Sequence, residues 1–180
     1  MSAFGEYCVE LMETAKGFRA KAARAEEGHV KQAYLRAGLL HAFSFLEAHL
    51  NYLAEHFEHS TIYSVNEKGV LLERDITFER GVFALGTRSK FSRITDRIEL
   101  LLGKGTAPQP LAKDTWFSAL KVSIKARNAL VHPRDVHVLT DDQLDDAMNA
   151  ILRCVDALYR AALGKPLPYA KKGLDGGLPV

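Results

Sequence analysis

Between residues 29 and 57, Leu39, Ala42, Phe43, Leu46, Leu50, Leu53 and Phe57 recur at spacings of three and four. That period is one face of an α-helix. Leu40, Phe45, Ala48 and Tyr52 widen the stripe until little of the girth stays polar. Such a helix has to be wrapped by others, so the chain reads as a helical bundle with this segment at its centre. Ser44, Glu47 and Asn51 run along it as a polar strip at i, i+3 and i+7. The strip is either a solvent face or the wall of a polar cleft.

The helical period returns on both sides of this segment. Residues 3–25 carry Tyr7, Cys8, Leu11, Met12, Ala15 and Phe18 on one face and Glu6, Glu10, Lys16, Lys21 and Arg24 on the other. Residues 88–103 place Phe91, Ile94, Ile98 and Leu101 together, with Arg88, Lys90, Arg93 and Arg97 largely off that side. Asp114 is a candidate cap for a helix over 115–131, apolar at Phe117, Leu120, Ile124 and Val131 with Trp116 alongside. Thr140 or Asp141 caps a last helix over 141–163, striped by Leu144, Met148, Ile151, Val155, Leu158 and Ala162. Gly164, Pro166 and Pro168 stop it. Segment 60–87 fits no single period. Residues 61–65 and 70–72 around Asn66-Glu67-Lys68-Gly69 read as a small hairpin or, equally, as loop and short helix, so the segment is treated as irregular. The expectation is an all-α fold of four to five main helices. Residues 1–165 form one domain and 166–180 a flexible tail.

Several function classes drop out. At 180 residues the chain can bury roughly 70% of its unfolded surface and needs no metal or disulfide staple. Its two cysteines, Cys8 and Cys154, sit in apolar helical stretches and read as buried free thiols. No histidine or cysteine pair has ligand spacing, so no metal and no cofactor is expected. Gly103-Lys104-Gly105-Thr106 lacks Walker spacing and a preceding strand. The start carries no basic region followed by an apolar core, and no apolar run is long enough to span a membrane, so a cytoplasmic protein is expected. A net charge of +2 does not by itself argue for nucleic acid.

One segment carries chemistry: Arg127-Asn128-Ala129-Leu130-Val131-His132-Pro133. Arg127 and Asn128 interrupt the apolar stripe between Ile124 and Val131. His132 follows Arg127 by five residues, which on an unbroken helix sets the two about 140° apart. Pro133 disfavours helix at residue 132, making His132 a helix terminator free to swing toward Arg127. Histidine moves protons near neutrality, and arginine grips phosphate with parallel hydrogen bonds. Together they suit metal-free cleavage of RNA through its own 2′-hydroxyl. Lys121, Lys125 and Arg134 supply positive charge nearby for a phosphate track. The bare spacing also occurs at Arg24/His29 and Arg36/His41, so its weight comes from Asn128, Pro133 and the helix end.

Arg127-Asn128-x-x-x-His132 resembles the Arg-x4–6-His motif of the HEPN superfamily, in which a polar residue, often Asn, commonly follows the Arg. The motif's place at the end of a late helix, with one helix after it, is similar too. The segment Phe45-Leu46-Glu47-Ala48-His49-Leu50-Asn51-Tyr52 resembles the long early helix of these domains. The resemblance implies a helical homodimer with the motifs facing across the interface. It implies a metal-independent endoribonuclease of toxin–antitoxin or phage-defence type, with an antitoxin or defence-system partner. Arg127 and His132 would be the catalytic pair, Asn128 their support, and Glu47 and Asn51 more distant supports. One toxin branch has a tyrosine two residues after the histidine, modified by its antitoxin. Arg134 stands there, so that mode of neutralisation is not expected.

The alternative is a non-enzymatic helical module that binds RNA or protein, with Arg127 paired to a carboxylate such as Glu47 and His132 capping its helix. The remaining histidines read as follows: His41 as a satisfied core residue, His29, His49, His56 and His59 as surface or rim, and His137 as a loop residue able to join an RNA cleft.

Overall fold

The computed structural model describes residues 3–105, 107–108, 115–167 and 173–176. Among these it contains six helices: α1 (Ala3–Arg24), α2 (Gly28–His56), α3 (Val65–Leu72), α4 (Ile94–Lys104), α5 (Thr115–Val131) and α6 (Asp141–Leu163). Two strands, β1 (Arg74–Glu79) and β2 (Val82–Ser89), form an antiparallel hairpin. The fold is therefore mostly helical, and the expected all-α class needs that one correction. Asp114, the expected cap of α5, lies outside the described residues.

The chain divides into two compact units. The first holds α1, α2 through Leu46, α5 and α6 through Asp156. Its core is built from the predicted stripes: Met12 and Ala15 of α1, Leu39 and Phe43 of α2, Leu120 of α5, and Leu144, Met148 and Ile151 of α6, all buried. Thr140 caps α6: its hydroxyl accepts from the Gln143 amide at 3.2 Å, and the Gln143 side chain accepts from the Thr140 amide at 3.1 Å. Arg19 on α1 grips Asp145 on α6 with two bonds, 2.5 and 2.7 Å. His41, expected in the core, is half-buried, with Nδ1 2.9 Å from the Ala37 carbonyl oxygen. Beyond α6, Leu167 is buried and its amide donates to Asp156 at 2.9 Å. Further on, Lys16 donates to the Gly176 carbonyl at 2.7 Å.

The second unit holds α2 from Glu47, α3, the hairpin, α4 and α6 from Ala157 to its end. Here the segment treated as irregular acquires structure. Ser64 opens α3 with a capping box: its hydroxyl accepts from the Glu67 amide at 3.3 Å and the Glu67 carboxylate accepts from the Ser64 amide at 2.9 Å. Residues 66–69, one possible turn of a hairpin, are helical instead. The actual hairpin begins two residues after α3 and turns at Arg80-Gly81, both with positive φ (52° and 83°), as a two-residue loop with mirror-image geometry requires. Ile76 packs on Gly69, where a Cβ would meet its side chain at 3.1 Å. Helix α4 starts at Ile94, so Phe91 falls outside it and is 90% exposed rather than on the apolar face. Arg97, expected off that face, is 3% exposed. His49, expected at the rim, is also 3% exposed, whereas Leu40 and Tyr52 of the widened stripe reach solvent.

Candidate functional site

Helix α5 stops at Val131. The His132 amide still donates to the Asn128 carbonyl at 2.9 Å, and Pro133, which has no N–H, cannot continue the ladder. Asn128 is exposed and Arg127 half-buried. Arg127 Nη1 donates to Asn128 Oδ1 at 3.2 Å, so the two adjacent polar side chains are joined. His132 is exposed, and its imidazole makes no hydrogen bond or ion pair with a described residue. Because its amide keeps helical register, its side chain leaves the axis about 140° from that of Arg127. Within one copy, the structure thus pairs Arg127 with Asn128 and leaves His132 apart.

The loop after His132 is strapped to α2. The Gln32 side chain donates to the Leu139 carbonyl at 2.7 Å and accepts from the Leu139 amide at 2.9 Å. Arg36 donates to the His137 carbonyl at 2.8 Å. Each strap grips backbone, and the buried Leu139 side chain anchors the loop as well. Two clefts flank it. One, of about 350 Å³, has walls of Leu39, Val122, Ala126 and Ala147, with Lys125 and Asp146 among its polar groups. The other, of about 550 Å³, is lined by Arg36, Leu40, Leu130, Pro133, Arg134 and Val136. His137 borders both, and its Nε2 is buried without a partner. Among the described residues, this is the one histidine nitrogen that is both buried and unbonded. Sequence reasoning gave His137 little weight. Gln32 and Arg36, one helical turn apart on α2, were the missed signal that the loop is held.

The predicted phosphate contacts divide. Lys121 lies over the Phe117 ring, 4.5 Å from its centroid. Lys125 and Arg134 are exposed and unpaired among the described residues. The exposed apolar side chains of Val122, Val131, Val136 and Val138 lie on the same helix and loop.

Glu47 and Asn51 belong to the second unit. There Asn51 Oδ1 accepts from Arg97 Nη2 at 2.7 Å, and Glu73 accepts from Arg97 Nη1 at 3.2 Å. Burial lowers the Arg97 pKa, while the nearby charges of Glu73 and Glu47 oppose that shift. Asn51, itself exposed, thus accepts from a buried arginine. The buried His49 ring lies 2.9 Å from the Tyr159 hydroxyl, and burial pushes its pKa down to about 4, so it is neutral at pH 7. Burial also raises both thiols, Cys8 to about 11 and Cys154 further, which removes them as nucleophiles near neutrality. Among the described residues, no group of three or more histidine, cysteine or acidic side chains could hold a metal, and no helix is long and apolar enough to cross a membrane. Comparison with family models, with curated proteins and with solved structures returns no match.

Proposed function

We propose that this chain is a HEPN-type, metal-independent endoribonuclease acting as a homodimer, with the ends of two α5 helices composing one site. The observation that carries the reading is the end of α5: an arginine tied to Asn128 and, at the proline stop, an exposed histidine whose ring bonds to no described residue. A neutral imidazole of His132 takes the proton of the 2′-hydroxyl as that oxygen attacks phosphorus. The P–O2′ bond forms and the P–O5′ bond breaks. A protonated imidazole, supplied by the second copy, gives its proton to the leaving 5′-oxygen. Arg127 stabilises the charge that builds on the phosphorane oxygens, and Asn128 orients Arg127. Two copies supply what one does not, since the helical offset of about 140° separates Arg127 from His132 within a chain. Val122, Val131, Val136 and Val138 are the apolar surface a second copy would cover. Lys125 and Arg134, with Lys121, hold the RNA backbone by charge.

On this reading the protein serves a toxin or phage-defence system and is restrained by an antitoxin or defence partner. The exposed valines also suit a second reading, a catalytically inactive helical module that binds RNA or protein. End-labelled RNA incubated with the protein in EDTA separates the two. The proposal expects fragments ending in 2′,3′-cyclic phosphate and no cut where the scissile nucleotide is 2′-deoxy. Cleavage that needs a divalent ion and leaves 5′-phosphates contradicts it, and the absence of any cleavage leaves the inactive module.

A further inference from the structure

The tip of the hairpin of the second unit carries apolar side chains that are exposed among the described residues. Opposed residues share a face in an antiparallel pair, so Ile76, Phe78, Phe83 and Leu85 line one side. At the base, Ile76 packs on α3 at Gly69. Toward the tip the same face presents Phe78 and Phe83, 64% and 63% exposed, with ring centroids 5.0 Å apart. Phe91, after β2, is the most exposed of the exposed large apolar side chains. Arg80 sits in the turn beside these rings, while Arg88 near the end of β2 and Lys90, Phe91 and Arg93 in the link to α4 follow at the base of the hairpin, so cations stand at both ends of its length. All four cations are exposed, and none has a hydrogen-bond or ion-pair partner for its side chain among the described residues. The nearby carboxylates are mostly engaged: Asp75 accepts from the Arg88 amide at 3.0 Å, and Glu73 accepts from Arg97 and from the Ser92 amide. Glu79 is the exposed acid of the hairpin.

We propose that this hairpin is a binding platform for single-stranded nucleic acid, with bases stacked on Phe78, Phe83 and Phe91 and phosphates held by Arg80, Arg88, Lys90 and Arg93. Aromatic faces accept any unstacked base, and unpaired cations track the backbone between them. The charge pattern favours this occupant over two others. An anionic membrane would have to admit Arg80 and Glu79 at the tip ahead of the phenylalanines. A second copy would bring four like charges against their equivalents. The choice of RNA over other single strands rests on the reading above; the surface itself does not.

The test is fluorescence anisotropy with a labelled 2′-O-methyl oligonucleotide, which cannot be cleaved through its 2′-oxygen, across a series of salt concentrations. The wild-type protein should bind the single strand at least ten-fold tighter than the matching duplex. Phe78→Ala/Phe83→Ala should weaken single-strand binding ten-fold or more with the salt slope unchanged. Phe78→Leu/Phe83→Leu, which keeps apolar bulk but loses the ring faces, should weaken it as well. Changing Arg80, Arg88, Lys90 and Arg93 to Gln should reduce the slope of log K against log salt by about 3, near 0.7 per lost phosphate contact. Wild-type affinity in both phenylalanine variants overturns the proposal. So do equal affinity for duplex, binding to phosphatidylserine vesicles without binding the oligonucleotide, and dissociation of a dimer by the phenylalanine changes. Because nothing is cleaved in this assay, its failure leaves the endoribonuclease reading standing, and failure of that reading leaves this one.

Discussion

In the second unit, Arg97 is almost completely buried, bonded to Glu73 and Asn51 and lying in the field of Glu47. In the first, His132 stands exposed at the end of α5 with no partner for its ring among the described residues. The first position is a charge the interior has paired through both terminal nitrogens, with Nε left buried and unbonded among the described residues, so its substitution registers in stability. The second costs the fold nothing and is open to a ligand. Buried polar groups with partners and exposed ones without them are the two ends of one scale: substitution of the first registers in stability, and substitution of the second leaves stability nearly unchanged.

The largest expected effect tests the buried end. Glu73→Ala leaves the Arg97 guanidinium in the interior without its bonded counter-charge and should cost about 3–5 kcal/mol in urea unfolding. Arg97→Met, which removes the charge as well as the pair, should cost distinctly less. If the two cost the same, a stranded charge is not what matters there. Next comes His49. Its pKa falls from 6.5 to about 4 on folding, so between those values the unfolded chain binds a proton that the folded chain does not. Stability on the order of 3 kcal/mol is present above pH 6.5 and lost as pH falls to about 4. His49→Gln should flatten that part of the stability–pH curve, and an unaltered curve would remove His49 as its source. Ser64→Ala should cost about 1 kcal/mol by opening the capping box of α3. Smallest of all, His132→Ala should leave stability within about 0.5 kcal/mol of wild type, as befits an exposed, unbonded side chain. A large loss there would move His132 to the buried end of the comparison.

Much of the helical frame could be read from the residues because its signals are local. The stripe of α6 and its Thr140 cap lie within consecutive turns, α6 begins at that cap, and α5 ends just before Pro133. The hairpin was hidden for two reasons. Its turn carries Arg80 where Asn or Asp is the familiar first residue, and half its apolar face is exposed, which blurs the contrast of inside and outside. The Ser64–Glu67 capping box was legible but competed with the turn-like Asn66 to Gly69. Arg97 could not be placed from its own helix. Its acceptor Glu73 is 24 residues away, delivered by a left-handed residue at the end of α3. At the candidate site, the sequence showed Arg127, Asn128, His132 and the proline stop. It did not show that the Gln32 and Arg36 straps hold the next loop, or that His137 Nε2 would be buried between two clefts.

The central claim is that His132 does chemistry and no structural work. The direct measurement is RNA cleavage by His132→Ala in EDTA, beside its thermal unfolding curve. The account predicts an unfolding transition like that of the wild type, with cleavage reduced at least a hundred-fold, the scale on which a lost general acid–base registers. A folded His132→Ala protein that cleaves RNA at the wild-type rate would contradict it.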